Sequence, residues 1–252
     1  MKLIIANWKL YLSPEEEQHL SAQLASALTH LSSRAARVVL MPSAISLIAV
    51  RHLISKSAVL RTGAQSCSTE AVGAFTGEIS AQSLKSIGTD YVLVGHSERR
   101  ERFGETDAIV ARKVEVALSC GMHPILCCGE NLEVRSRNQH EDHVVTQLRT
   151  ALRPLTPAQV ARVVIAYEPV WAIGTNLRPL PKDIQAMHNC LREAVKCWYG
   201  SAVDSQPTLV YGGNCNAENA ASIFACPDVD GVLVGRASLC SETFTSIIQH
   251  AL

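Results

Sequence analysis

Short apolar runs alternate along the chain with longer amphipathic stretches. The runs are LIIANW (3–8), RVVLMP (37–42), AVLRTGA (58–64), YVLVGH (91–96), HPILCCG (123–129), VVIAYEP (163–169), TLVYGG (208–213) and GVLVG (231–235). They are rich in Val, Ile or Leu, and most close on Gly, Pro or a polar residue, as strands buried on both faces do. The intervening stretches carry helix signals. SPEEEQHLSAQLASAL opens with Ser13 as a cap, Pro14 in the first helical position and acids in the first turn. ETDAIVARKVEVALSCG spaces Ile109, Val110, Val114, Val116 and Leu118 along one helix and stops at Gly121. PKDIQAMHNCLREAVKCWYG stops at Gly200, and a last helix is predicted from about Ser241 to the C-terminus.

Eight strands, each followed by helical sequence, imply right-handed parallel units. No linker or composition shift interrupts them, so residues 1–252 read as one α/β domain, a (β/α)₈ TIM barrel. The competing fold is an open doubly wound sheet, which announces itself by a Gly-rich phosphate turn after the first strand. Here that strand ends in NWK, and neither G-x-G-x-x-G nor G-x-x-x-x-G-K-[ST] occurs.

Composition narrows the picture further. The 252 residues are 47% hydrophobic and carry 23 basic against 23 acidic side chains, so neither nucleic acid nor a membrane surface is an expected partner. No apolar stretch approaches the 18 residues of a membrane span. The opening MKLIIANWKLYL is broken by Asn7 and Lys9, unlike a signal peptide. Nine cysteines, an odd number without Cys-x-x-Cys, fit free thiols in a reducing cytoplasm better than disulfides or a metal site.

In a barrel the loops after the strands share one rim, where active sites are built. After the first strand come Asn7 and Lys9, which alternation places on the same side. Gln65 and then GAFTGE (73–78) follow the third, and GHSERRERFGE (95–105) follows the fourth. The fifth gives CCGE (127–130), the sixth Glu168, the seventh YGGN (211–214) and the eighth GRAS (235–238). Each has a plain alternative: Lys9 as a solvated charge, His96 as the cap of a helix starting near Ser97, Glu98 and Arg99 as first-turn charges, YGG as a turn. Glu168 is harder to dismiss, because a buried strand running into Pro169 makes an unpaired carboxylate costly. What points to chemistry is the convergence of the set on one rim.

NWK, GAFTGEIS, YVLVGHSERR, FGET, YEPVWAIGT, YGG and DGVLVG closely resemble the triosephosphate isomerase family, in its order and across essentially the whole chain. The resemblance implies interconversion of dihydroxyacetone phosphate and glyceraldehyde 3-phosphate through an enediolate, with no cofactor and no metal. It implies Glu168 as the base, and His96 as a neutral electrophile that hydrogen-bonds the substrate oxygens. Lys9 would be a cation near the developing charge, Asn7 a fixed donor, and Glu98 a support for Lys9 or His96. Phosphate donors map onto Gly174, Asn214, Gly235 and Arg236. Trp171 and Ile173 lie in a mobile lid, with Ile173 closing over Glu168 opposite Leu233. The loop 73–78, with Phe75 and Thr76 at its tip, would reach a second subunit of a homodimer.

The chain departs from the family pattern at four places. Asn214 stands where Ser is usual, Arg236 where a second Gly is usual, and Asn176 at a trailing lid hinge where Gly is frequent. Cys67 takes a position where a β-branched residue is expected. Two other readings share the barrel: an isomerase of a larger phosphosugar such as a tetrulose phosphate, and a binding protein without turnover.

Overall fold

The computed structural model of the chain describes residues 1–32, 34–175, 177–200 and 206–252. Eight strands form: β1 (Lys2–Asn7), β2 (Ala36–Met41), β3 (Leu60–Ala64), β4 (Tyr91–Val94), β5 (His123–Cys128), β6 (Val164–Tyr167), β7 (Thr208–Tyr211) and β8 (Gly231–Val234). They pair in chain order, all parallel, and β8 closes on β1 with Ile5 beside Leu233. Alternation along each strand feeds two cores. Leu3, Ile5, Val39, Met41, Leu93, Ile125, Val210 and Leu233 fill the barrel interior. Ile4, Ala6, Val38, Leu40, Val92 and Val94 face the helices instead. Each such side chain contributes about 1.5–3 kcal/mol on leaving water, which is why both faces read as apolar.

The helices are α1 (Pro14–Ala27), α2 (Leu47–Leu53), α3 (Ala81–Ser86), α4 (Ser97–Phe103), α5 (Asp107–Ser119), α6 (Leu132–Ser136), α7 (His140–Leu152), α8 (Pro157–Val160), α9 (Pro181–Tyr199), α10 (Ala220–Phe224) and α11 (Ser241–Gln249). Ser13 caps α1 in a full capping box: its hydroxyl accepts the Glu16 N–H, and the Glu16 carboxylate accepts the Ser13 N–H. Helix α9 ends at Gly200, whose φ of 55° a side chain would oppose.

The structure trims several expected boundaries. β3 starts at Leu60, and the Ser57 hydroxyl accepts the N–H groups of Val59 and Leu60 at that start. Helix α11 stops at Gln249, where Ala251 and Leu252 turn back onto the carbonyls of Ile248 and Gln249. The strand after which Asn7 and Lys9 were expected to alternate ends at Asn7. Lys9 has φ 53°, and its N–H folds back onto Asn7 Oδ1 at 3.1 Å. A local turn brings the two together, then, and strand alternation does not.

Candidate active site

Parallel closure puts the ends of all eight strands on one rim, and the expected residues gather there. Glu168 follows β6 and is 1% exposed. Its N–H donates to the Cys128 carbonyl at 2.8 Å, beside the end of β5. Its own carbonyl lies so close to Gly129 that a β-carbon there would stand 1.7 Å from it. Its side chain passes Gly212, where a β-carbon would meet Glu168 Cγ at 2.9 Å and Leu233 Cδ2 at 3.7 Å. Two glycines thus make the slot through which the acid reaches the rim, and Leu233 forms part of the wall.

His96 caps a helix and also lies beside Glu168. As N-cap of α4 its Nδ1 accepts the Glu98 N–H at 3.2 Å. A backbone N–H can only donate, so Nδ1 carries no proton and Nε2 carries it. That Nε2 lies 3.1 Å from Glu168 Oε1. The two are misaligned for a hydrogen bond, and Oε1 is buried without a donor. The other oxygen, Oε2, accepts the Ser97 N–H at 2.9 Å.

Lys9 Nζ donates to Glu98 Oε1 at 2.6 Å, and Glu98 Oε2 lies 3.8 Å from His96 Nδ1. Burial pushes the Glu98 carboxyl up, but the Lys9 hydrogen bond and charge outweigh it and hold the group below its usual value. The Gln65 amide donates to the Lys9 carbonyl at 2.8 Å and to the Met41 carbonyl at 3.0 Å, which fixes the turn that aims Lys9. Lys9 Cε passes 3.7 Å from where a Gly235 β-carbon would stand, so the cation reaches the end of β8.

The chain after β8 turns into a short 3₁₀ segment, Arg236–Ser238, in which the buried Ser238 hydroxyl donates to the Gly235 carbonyl at 2.7 Å. Arg236 is exposed and has no carboxylate partner among the described residues. Asn214 is half-buried, and its carbonyl accepts from the Asn219 amide at 2.9 Å.

The segment after Glu168 begins with a 3₁₀ turn, Val170–Ala172. Trp171 Nε1 donates to Glu130 Oε1 at 2.8 Å, and the Tyr167 hydroxyl donates to the same oxygen at 3.1 Å. Arg135 stacks over the Trp171 ring at 5.4 Å. Burial raises the Glu130 carboxyl, against the lowering effect of the Trp171 hydrogen bond. Ile173 is half-buried and Gly174 exposed, with φ 71°. Asn176, the expected trailing hinge, lies outside the described residues.

A family model described as triosephosphate isomerase matches residues 2–251. Proteins named triosephosphate isomerase are similar along nearly their whole lengths. The one from Chloroflexus aurantiacus is 45% identical, over 98% of both chains. The one from Thermus thermophilus is 42% identical over 99% of this chain and 98% of its own. The one from Amoebophilus asiaticus is 40% identical over 98% of both.

The chain belongs to the triosephosphate isomerase family.

Within that family frame, some contributors were not legible as site residues. Ser97 holds the acid through its backbone, which carries no side-chain signal. Gln65 was noted at the end of β3, but its reach back to Lys9 spans 56 positions. Glu130 was visible in CCGE without its role as the anchor of Trp171. Cys127 and Cys128, beside the acid, are fully buried, and Cys128 is pushed up to about 12 by burial. Cys67 is buried, and burial likewise raises it to about 12, as for a thiol packed as a small apolar side chain. Among the described residues no cluster of three or more His, Cys, Asp or Glu is arranged to hold a metal ion, and no helix is long and apolar enough to cross a membrane.

Proposed function

We propose that this chain interconverts dihydroxyacetone phosphate and glyceraldehyde 3-phosphate, the triose step shared by glycolysis and gluconeogenesis, with Glu168 as the base. The observation that carries the assignment is the placement of His96 Nε2–H 3.1 Å from a Glu168 oxygen that has no donor. A proton α to a carbonyl is weakly acidic, so base and hydrogen-bond donor must act on adjacent substrate atoms. Glu168 takes the carbon proton. His96 donates to the oxygens as they gain charge, with Lys9 and the Asn7 amide adding a cation and a donor. Glu98 positions Lys9. The phosphate lies against the N–H groups of Gly174, Asn214, Gly235 and Arg236. Trp171 and Ile173 close the lid, with Ile173 coming over Glu168 opposite Leu233 and excluding water.

The working unit is a cytoplasmic homodimer. Support comes from apolar residues left in solvent: Val72 and Phe75, at the 73–78 loop, are 72% and 49% exposed, and Leu10, next to Lys9 in sequence, is 93% exposed. The test of function is turnover of glyceraldehyde 3-phosphate beside a four-carbon ketose phosphate in a coupled assay. A large kcat/KM advantage for the triose is expected. Preference for the four-carbon compound, or no turnover by folded protein, overturns the proposal.

A further inference from the structure

Gln147 lies on α7, outside the barrel, and nothing in the proposed chemistry uses it. It is nevertheless buried, at a helical position flanked by Val144, Leu148 and Ala151, which are all apolar. Its Oε1 accepts the Gly129 N–H at 2.8 Å. Its Nε2 sits 3.1 Å from His143 Nε2, one turn earlier on the same helix. The orientation of the amide follows from its partners. Gly129 can only donate, so the oxygen faces it and the NH₂ faces His143.

Gly129 is the residue pressed against the Glu168 carbonyl, while its neighbour Cys128 accepts the Glu168 N–H. Residues 128 and 129 therefore meet both the N–H and the carbonyl of the acid's backbone. The outer flank of this contact is not packed. A cleft of about 360 Å³ opens there, lined among others by Ser97, Gly129, His143, Gln147 and Glu168. With space on that side, van der Waals contact does not enclose Gly129, and the hydrogen bond that its N–H donates to Gln147 supplies the missing restraint.

We infer that Gln147 is a positioning residue for Glu168, acting through the Gly129 peptide. The inference rests on Glu168 being the base. Without the amide oxygen, the Gly129 N–H is left unsatisfied and the peptide relaxes toward the cleft. The Glu168 backbone follows it. Proton transfer is steep in distance, and a misplacement of about 1 Å costs roughly 100-fold, so a shift of a fraction of that costs about tenfold. Substrate phosphate is held elsewhere on the rim, so binding is spared.

The test compares Gln147→Met, which keeps shape and loses the acceptor, with Gln147→Glu, which keeps the acceptor, each assayed for kcat and KM on glyceraldehyde 3-phosphate. The expected result is a kcat loss of about tenfold in Gln147→Met, with KM within about twofold of the parent and kcat largely recovered in Gln147→Glu. Unchanged kcat in folded Gln147→Met, or a loss confined to KM, overturns the inference. If Gln147→Met does not fold, Gln147→Asn decides, because it keeps the amide but draws its oxygen back by one methylene from the Gly129 N–H. A kcat loss of about threefold at constant KM is then expected, and unchanged kcat overturns the inference. Glu168→Gln is run alongside: if it retains kcat, the base assignment fails, whereas an inactive Glu168→Gln beside an unaffected Gln147→Met refutes only the role of Gln147.

Discussion

Ser97 and Glu168, 71 positions apart in the chain, are joined by a single hydrogen bond of 2.9 Å from a backbone N–H to a carboxylate oxygen. The bond ties the end of β6 to the first turn of α4, and the same turn orients His96 through the Glu98 N–H. Acid and imidazole therefore take their positions from one short piece of backbone. Shortening the acid breaks this arrangement without disturbing the core. Glu168→Asp is expected to fold with an unchanged circular dichroism spectrum and to lose about 100- to 1,000-fold in kcat. Near-normal kcat would remove Glu168 from the base role.

Lys9 and Glu98 form a half-exposed pair, so their link contributes at most about 1 kcal/mol to stability. Lys9→Met is expected to leave Tm almost unchanged and to reduce kcat/KM by about 100-fold, since in the proposed mechanism the cation acts only as charge develops on the substrate. A large drop in Tm with little change in kcat/KM would recast the pair as structural.

Under the proposed function Trp171 is the optical reporter of the lid, because closure would move its ring relative to Glu130 and Arg135. A phosphate-bearing inhibitor is expected to change tryptophan emission in the parent protein and to leave Trp171→Phe silent. The chain's other tryptophans, Trp8 just after β1 and Trp198 on α9, are not part of the lid segment. A signal that persists in Trp171→Phe would show that it arises elsewhere.

His188 gives the stability a defined pH dependence. It is fully buried on α9, with Nδ1 3.2 Å from the Asp228 carbonyl, and burial lowers it from 6.5 to about 4. The folded state thus favours the neutral ring. Its contribution is complete above pH 6.5 and is lost as pH falls toward 4, reaching about 3 kcal/mol. Denaturant titrations at several pH values are expected to show this decline in the parent and a flatter curve in His188→Phe. Equal slopes in the two proteins would contradict the assignment.

The strands, the closed barrel and the rim positions of Glu168, His96, Lys9 and Asn7 were legible because each rests on local pattern. An apolar run ends, and a polar group follows it at the rim. The contacts that position those groups were hidden, because they join distant segments through backbone atoms or single amides. Gln65 holds Lys9 from the end of β3, Ser97 holds Glu168 by an N–H, and Glu130 holds Trp171 from the end of β5. Gln147 left a faint trace, a polar residue in the apolar stripe of α7, but Gly129 as its partner appears only in three dimensions. The turn at Lys9 was misread for a related reason: the Asn7 side chain competes for the backbone N–H and ends the strand.

The central claim is that Glu168 moves a carbon-bound proton. It is tested most directly by running the isomerisation of dihydroxyacetone phosphate in deuterium oxide with the parent protein and Glu168→Gln. A base-mediated enediolate route predicts deuterium at the carbon beside the carbonyl in the parent's product, and neither turnover nor label with the variant. Product without deuterium from the parent, or unaltered turnover by Glu168→Gln, would contradict it.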